Sequence, residues 1–146
     1  QETYELQDCT YYNPNTLTSN TSLNVNLPNS DWELSFKVKR PSSSSNVSYI
    51  QLNNDSRIVS LVGQLGGSGV NGFRCYTSTT NFTDITLSNT PQGTEVTFVL
   101  KKESSTFTYS MGESSTTMNC TQDFIKLYNA NVSGGNYIKE LKVKPL

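Results

Sequence analysis

Apolar and polar residues alternate over the eight positions Trp32–Lys39, and no other feature constrains the fold of this chain as strongly. One face of that segment carries only apolar side chains, those of Trp32, Leu34, Phe36 and Val38. Period-two alternation of this kind predicts an antiparallel strand with one face in the core and the other in water. Further strands are predicted around Leu23–Leu27, Ser48–Leu52, Arg57–Leu65, Gly72–Ser78, Thr83–Leu87, Val96–Leu100, Phe107–Met111, Asp123–Tyr128 and Tyr137–Lys144.

Composition removes the helical and disordered alternatives. The chain has 20 Ser, 18 Thr and 16 Asn among 146 residues, but a single Ala at position 130. Ser, Thr and Asn compete with helical backbone for hydrogen bonds, whereas Ala is the best helix former. One Trp, eight Tyr and six Phe, together with the regular apolar spacing, argue against disorder. The sequence therefore favours strands joined by turns.

These segments predict one domain, residues 1–146, with an all-β fold: a two-sheet antiparallel jelly-roll β-sandwich. About ten to twelve short strands are expected, with turns roughly every ten residues. The strand near Tyr4–Cys9 is expected beside the C-terminal strand Tyr137–Lys144. The residues predicted to face the core are Trp32, Leu34, Phe36, Val38, Val96, Phe98, Leu100, Phe107 and Tyr109.

The absence of histidine from the sequence excludes most familiar catalytic machinery. Ser-His-Asp and Cys-His sites cannot form, and neither can a His-ligated metal centre. A glycosidase needs only two carboxylates about 5–9 Å apart. However, Glu33, Glu95 and Glu103 stand singly, at the outward phase of strands or in turns. The chain is therefore predicted not to be an enzyme.

No cofactor is predicted. The glycines of Gly66–Gly69 form a flexible loop without a following helix that could hold a phosphate. A single structural Ca²⁺, held by loop carbonyls with Asp55, Asp84 or Asp123, is the one alternative left open. Cys9, Cys75 and Cys120 are interpreted as unpaired thiols without a catalytic role, with a Cys9–Cys120 disulfide as the alternative.

Charge and hydropathy exclude two classes of partner. The net charge is −1 and the 11 basic residues form no stripe, so nucleic acid is not expected as a partner. No apolar run approaches the ~18 residues of a membrane span, and membrane insertion is not expected either. The polar opening QETYELQDC shows no signal peptide. Six Asn-x-Ser/Thr sequons are close to what this composition produces by chance, so they say little about secretion.

Aromatic residues beside amides and charges have the right chemistry for sugars, because rings stack on C–H patches while polar groups bind hydroxyls. Three stretches qualify: a turn-like Tyr11–Tyr12–Asn13, the segment 71–82, and Tyr128–Asn129 at the start of a loop. The segment 71–82 is the densest such mixture. Alternation on its strand places Arg74 and Tyr76 on one face and Phe73 and Cys75 on the other, so that Arg74 and Tyr76 face outward if Phe73 and Cys75 face the core. The predicted ligand-binding residues are Asn71, Arg74, Tyr76, Asn81 and Phe82, the last two in the following turn.

The order of the segments DWELSFKVKR, TEVTFVLKKESSTFTYSMG and YIKELKVKPL resembles the concanavalin A-like, or laminin-G-like, jelly roll. The resemblance covers most of the chain but rests on pattern. The Trp that usually precedes the hairpin is replaced here by Thr94–Glu95, and a legume-type acidic metal cluster cannot be matched. Similar domains rich in Asn, Ser and Thr occur in viral tail or baseplate proteins and in microbial surface adhesins.

We therefore expect a non-catalytic recognition module that binds a cell-surface glycan or receptor, on a viral tail or baseplate or a microbial adhesin. Such a module would act outside the cell, at the cell surface or on a virion, and a homo-oligomer is compatible with it. The alternative is a structural interaction domain that oligomerises or decorates a larger virion or cell-surface assembly. A hydrolase of concanavalin-like fold is the third interpretation.

Overall fold

The computed structural model describes residues 9–39, 48–53, 56–65, 70–87, 89–91, 93–132 and 135–146. Within these ranges the chain forms thirteen strands and no helix. The strands are β1 Tyr11–Leu17, β2 Thr21–Asn26, β3 Trp32–Lys39, β4 Ser48–Leu52, β5 Ser56–Arg57, β6 Val59–Leu65, β7 Val70–Tyr76, β8 Phe82–Thr86, β9 Glu95–Glu103, β10 Thr106–Met111, β11 Ser114–Asn119, β12 Lys126–Val132 and β13 Ile138–Pro145. Consequently, no helix in this part of the chain could cross a membrane.

The strands form two antiparallel sheets. The six-stranded sheet has the order β1-β13-β3-β9-β10-β11, and the seven-stranded sheet has the order β2-β12-β4-β6-β7-β8 with β5 attached to β4. The predicted two-sheet antiparallel sandwich is confirmed. Residues 4–8 of the expected N-terminal strand lie outside the described residues. The strand that pairs with β13 in the described structure is β1, with Tyr11 opposite Val143.

The core lies between the sheets and contains every residue that alternation assigned to it. All nine predicted inward side chains are at most 8% exposed. Phe98 occupies the centre, with ring centroids 5.1 Å from Phe36, 5.8 Å from Phe73 and 6.4 Å from Tyr109. Phe36 and Tyr109 belong to the same sheet as Phe98, whereas Phe73 belongs to the other. This cluster therefore joins the two sheets through aromatic contacts.

The central hairpin β9–β10 is confirmed, with Leu100 opposite Tyr109. Its two-residue turn contains Ser104, whose φ is 56°. The main-chain N–H of Ser104 donates to Oδ1 of Asp31 at 2.9 Å, and the same oxygen lies 3.5 Å from Nζ of Lys102. The carboxylate thereby stabilises a backbone conformation that a residue other than glycine rarely adopts.

Two of the expected aromatic loops are strands instead. Tyr11 and Asn13, predicted in a turn, are buried residues of β1. Pro14 is tolerated there because β1 is an edge strand whose pairing is irregular between Asn13 and Thr16. Tyr128–Asn129, predicted to begin a loop, lies inside β12, which starts three residues later than expected. Ala130, which follows Asn129, is buried, so the inward face of β12 extends past the expected start of the loop.

Candidate functional site

Six side chains of β4, β5, β7 and β8 form a continuous set of contacts on the outer face of the seven-stranded sheet. We call this set the aromatic–arginine patch; it consists of Tyr49, Arg57, Arg74, Tyr76, Phe82 and Asp84. Alternation explains its position. Because Ser48, Ile50, Phe73 and Cys75 are fully buried, their strand neighbours Tyr49, Arg74 and Tyr76 project from the opposite face.

Arg74 and Asp84 form the charged half of the patch. They are directly opposite in the β7–β8 pairing. Nε and Nη2 of Arg74 donate to the two carboxylate oxygens of Asp84 at 2.7 and 3.1 Å, which is a bidentate ion pair. The hydrogen bonds to this carboxylate raise the pKa of Arg74. The positive charge of Arg74 is thus largely balanced within the sheet.

Phe82 and Tyr76 form the aromatic half. Their ring centroids are 5.7 Å apart, and the guanidinium carbon of Arg74 lies 4.0 Å from the centroid of Phe82. Phe82 is 44% exposed. Tyr76 is on the outer face as predicted, but it is only 9% exposed because Phe82 and Arg57 pack beside it. The ring accessible to a ligand is therefore that of Phe82.

Arg57 completes the patch from β5. Its guanidinium carbon lies 4.9 Å from the ring centroid of Tyr49 and 5.7 Å from that of Tyr76. Both distances fall within the range of cation–π attraction. Arg57 is exposed, and it makes no ion pair with any carboxylate of the described residues. Local sequence pattern does not indicate the role of Arg57, because its place in the patch depends on how β5 pairs with β4.

The predicted site residues come together only in part. Arg74, Tyr76 and Phe82 are in contact, and Phe82 is the first residue of β8 rather than part of a turn. Asn81 is exposed, and its Nδ2 donates to Oγ1 of Thr77 at 2.7 Å, within its own turn. Asn71 lies in β7, and its side chain is outside the described part of the structure. Tyr49 and Asp84 are members that sequence reasoning missed, although both occupy outward phases of predicted strands.

A row of amides continues the same face beyond the patch. Nδ2 of Asn131 donates to Oε1 of Gln51 at 2.8 Å and to Oδ1 of Asn129 at 2.9 Å. Gln51 is directly opposite Arg57 in the β4–β5 pairing, and Asn129 is opposite Gln51. Aromatic rings, guanidinium groups and amides thus share one face of one sheet.

The described residues contain no group of three or more His, Cys, Asp or Glu side chains arranged to hold a metal ion. Of the three aspartates named for the alternative of a single structural Ca²⁺, Asp55 lies outside the described residues. Asp84 is bound to Arg74, and Asp123 borders a cavity of about 260 Å³ at one end of the sandwich. All three cysteines are described and none forms a disulfide.

No family model and no curated protein matches the sequence. The structure, in contrast, is similar to many solved structures. A galectin-Ib from Xenopus laevis superimposes with a TM-score of 0.63 over 86% of this chain and 99% of its own length, at 11% identity. Toad ovary galectin, solved with thio-digalactose, gives a TM-score of 0.62 over 87% and 99%, at 12% identity.

The fold is a galectin-like jelly roll. It is a variety of the concanavalin A-like sandwich, so the fold predicted from the sequence is confirmed. Similarity at these identities concerns the fold alone. A family 7 alginate lyase also matches, with a TM-score of 0.52 over 84% of this chain and 65% of the lyase, at 13% identity. The galectin-like fold therefore does not by itself distinguish a binding protein from an enzyme.

Proposed function

We propose that this chain is a non-catalytic carbohydrate-binding module and that the aromatic–arginine patch binds the sugar. The observation that carries the proposal is the ring of Phe82, which is 44% exposed and held in place by Arg74 and Tyr76. A flat ring that is accessible yet held in place suits stacking against the C–H face of a pyranose. Neighbouring amides and guanidinium groups supply hydrogen bonds for its hydroxyls.

The fold supports a sugar ligand by analogy. The toad ovary galectin, which has a similar fold, was solved with thio-digalactose and with N-acetylgalactose. This analogy is one of architecture, since identity to these proteins is 12%. The sugar-binding positions proposed for this chain depend on its own residues, those of the aromatic–arginine patch.

The lack of catalysis is supported by the chemistry of the available groups. The sequence has no histidine to transfer protons near neutral pH. Five carboxylates of the described residues, those of Asp31, Glu33, Asp84, Glu95 and Glu140, each lie within ion-pair distance of a lysine or arginine. Each of these carboxylates thus has a cationic partner within the sheets, which suits a structural role better than catalysis.

We further propose that the module acts outside the cell, on a viral tail or baseplate or a microbial adhesin, where it attaches to a host glycan or receptor. The Asn-, Ser- and Thr-rich composition supports this setting through its resemblance to such domains. A receptor with a glycan chain would present both kinds of expected partner at once.

One observation favours a second candidate, a structural domain that oligomerises or decorates an assembly. Ile125 is 67% exposed at the rim of the 260 Å³ cavity, whose lining includes the apolar side chains of Leu27, Trp32 and Phe124. An exposed apolar residue beside a cavity of mixed polar and apolar lining suits contact with another protein chain.

A glycan array combined with light scattering after size exclusion separates the two candidates. The carbohydrate proposal predicts binding to a defined set of glycans by wild-type protein and its loss in Phe82→Ala. Tyr12→Ala, on the other sheet, is the matched control and is expected to keep binding. A stable oligomer that ignores every glycan would contradict the proposal and favour the structural domain.

A further inference from the structure

We propose that the sugar bound at the aromatic–arginine patch carries a carboxylate and that Arg57 binds this group. The inference rests on the proposed function and names the ligand class. It starts from a contrast between the two arginines of the patch. Arg74 is neutralised by a bidentate ion pair with Asp84, whereas Arg57 has no carboxylate partner among the described residues.

Two aromatic rings of the described residues contact the guanidinium of Arg57. Its guanidinium carbon lies over the rings of Tyr49 and Tyr76, at 4.9 and 5.7 Å from their centroids. An aromatic ring is not a carboxylate or carbonyl acceptor, so among the described residues no carboxylate engages the N–H groups of Arg57. A guanidinium held by two rings also loses less conformational entropy on binding than a free side chain would.

The acceptor that best fits the paired N–H donors of a guanidinium is a planar anion. A carboxylate accepts two parallel N–H hydrogen bonds from one guanidinium, which a neutral hydroxyl cannot do. Uronic and sialic acids carry this group on a pyranose ring. A sulfate ester shares the charge but not the planar shape, so it is the alternative source that an experiment must distinguish.

The position of Arg57 relative to Phe82 allows one ligand to contact both. Each side chain lies beside the ring of Tyr76, with guanidinium-to-centroid and centroid-to-centroid distances of 5.7 Å. Tyr76 itself is buried to 9% exposure and forms the floor between them. An oligosaccharide whose neutral face stacks on Phe82 and whose carboxylate meets Arg57 thus passes over Tyr76.

Charge alone does not select this face, since the opposite sheet is also basic. Lys101 and Lys142 project from the outer face of the six-stranded sheet, and neither forms an ion pair with a described residue. Non-specific attraction of an acidic glycan would involve these lysines as well. Lys142→Gln therefore removes the same unit of charge as Arg57→Gln and is the matched control.

The experiment measures the affinities of wild type, Arg57→Gln, Arg57→Lys and Lys142→Gln by calorimetry, with thermal melts to verify folding. The ligand pairs are sialyllactose with lactose, trigalacturonate with its methyl ester, and sulfated with unsulfated lactose. We expect wild type to bind at least one carboxylate ligand about tenfold or more tightly than its neutral partner. Arg57→Gln should abolish that preference and Arg57→Lys should retain part of it, whereas Lys142→Gln should retain it fully.

Three outcomes would overturn the inference. If wild type binds acidic and neutral ligands with equal affinity, the inference is wrong and the ligand is a neutral sugar. The proposed function would still hold in that case. A preference for the sulfated ligand alone would show that Arg57 binds a sulfate rather than a carboxylate. Failure to bind any of these five ligands would also reject the acidic class, and the glycan array would then decide the proposed function separately.

Discussion

The phenolic hydroxyl of Tyr109 donates a hydrogen bond of 2.6 Å to the main-chain carbonyl of Tyr76. Tyr109 lies in β10 of one sheet and Tyr76 ends β7 of the other, so the bond joins the two sheets. Burial raises the pKa of Tyr109 above its ordinary value of 10.0, which keeps the phenol protonated as a donor. The bond thereby anchors the strand end that carries the aromatic–arginine patch.

Replacing Tyr109 by Phe should destabilise the fold, because the carbonyl of Tyr76 loses its buried donor. We expect the free energy of unfolding to fall by about 1–3 kcal/mol in urea denaturation. Thr108→Ala, on the outward face of the same strand, should change it by less than about 0.5 kcal/mol. Equal stability of Tyr109→Phe and wild type would show that the bond contributes nothing.

The thiols of Cys9 and Cys75 should differ in reactivity because they differ in burial. Cys75 is fully buried and burial raises its pKa well above the ordinary value of 9.0, whereas Cys9 is half-exposed. Since the thiolate is the reactive form, iodoacetamide should alkylate Cys9 in the folded protein and Cys75 only after unfolding. Mass spectrometry identifies which cysteines are alkylated, and Cys9→Ser is the control. Rapid alkylation of Cys75 in folded protein would contradict the buried position.

Glu95 should contribute to the acid dependence of stability. The hydrogen bond from Lys139, at 2.8 Å, and that from Tyr137 lower the pKa of Glu95 below its ordinary value of 4.5. A carboxylate whose pKa is lower in the folded state than in the unfolded state stabilises the protein at pH values above the unfolded-state pKa. This contribution is lost as the pH falls through the folded value.

The prediction is tested by measuring unfolding free energies between roughly pH 6 and pH 3. Glu95→Gln should be less stable than wild type at pH 6, and the difference between them should shrink toward pH 3. Thr97→Ala, two residues away on the same face, is the control. Its unfolding free energy should differ from that of wild type by a constant amount across this pH range. A constant difference between Glu95→Gln and wild type across this range would show that the ion pair does not titrate as described.

Sequence pattern predicted the architecture because alternation reports directly on which side of a strand is buried. Trp32–Lys39 alternates without interruption, and the hairpin around Leu100 and Tyr109 alternates apart from the apolar Val99 at an outward position. All of their predicted inward residues are buried. Tyr11–Tyr12–Asn13 was misinterpreted because proline and asparagine ordinarily signal a turn. Its pairing with β13, 130 residues further along, is a tertiary contact that a local pattern does not contain.

The candidate site was predicted less completely for the same reason. Arg74, Tyr76 and Phe82 are close in sequence, so a local reading could group them. Arg57 enters the patch only because β5 pairs with β4 and thereby reaches the ring of Tyr49. The low exposure of Tyr76 also depends on this distant arginine, which alternation along β7 could not reveal.

Calorimetry of the Phe82→Ala variant with the glycan that the array identifies tests the central claim most directly. Phe82 is the suitable target because its ring is 44% exposed, whereas removal of Tyr76 would disturb a buried side chain. With unchanged thermal stability, Phe82→Ala should weaken binding by about 1–3 kcal/mol, and Tyr12→Ala should not. Unchanged affinity in a folded Phe82→Ala protein would contradict the assignment of sugar binding to the aromatic–arginine patch.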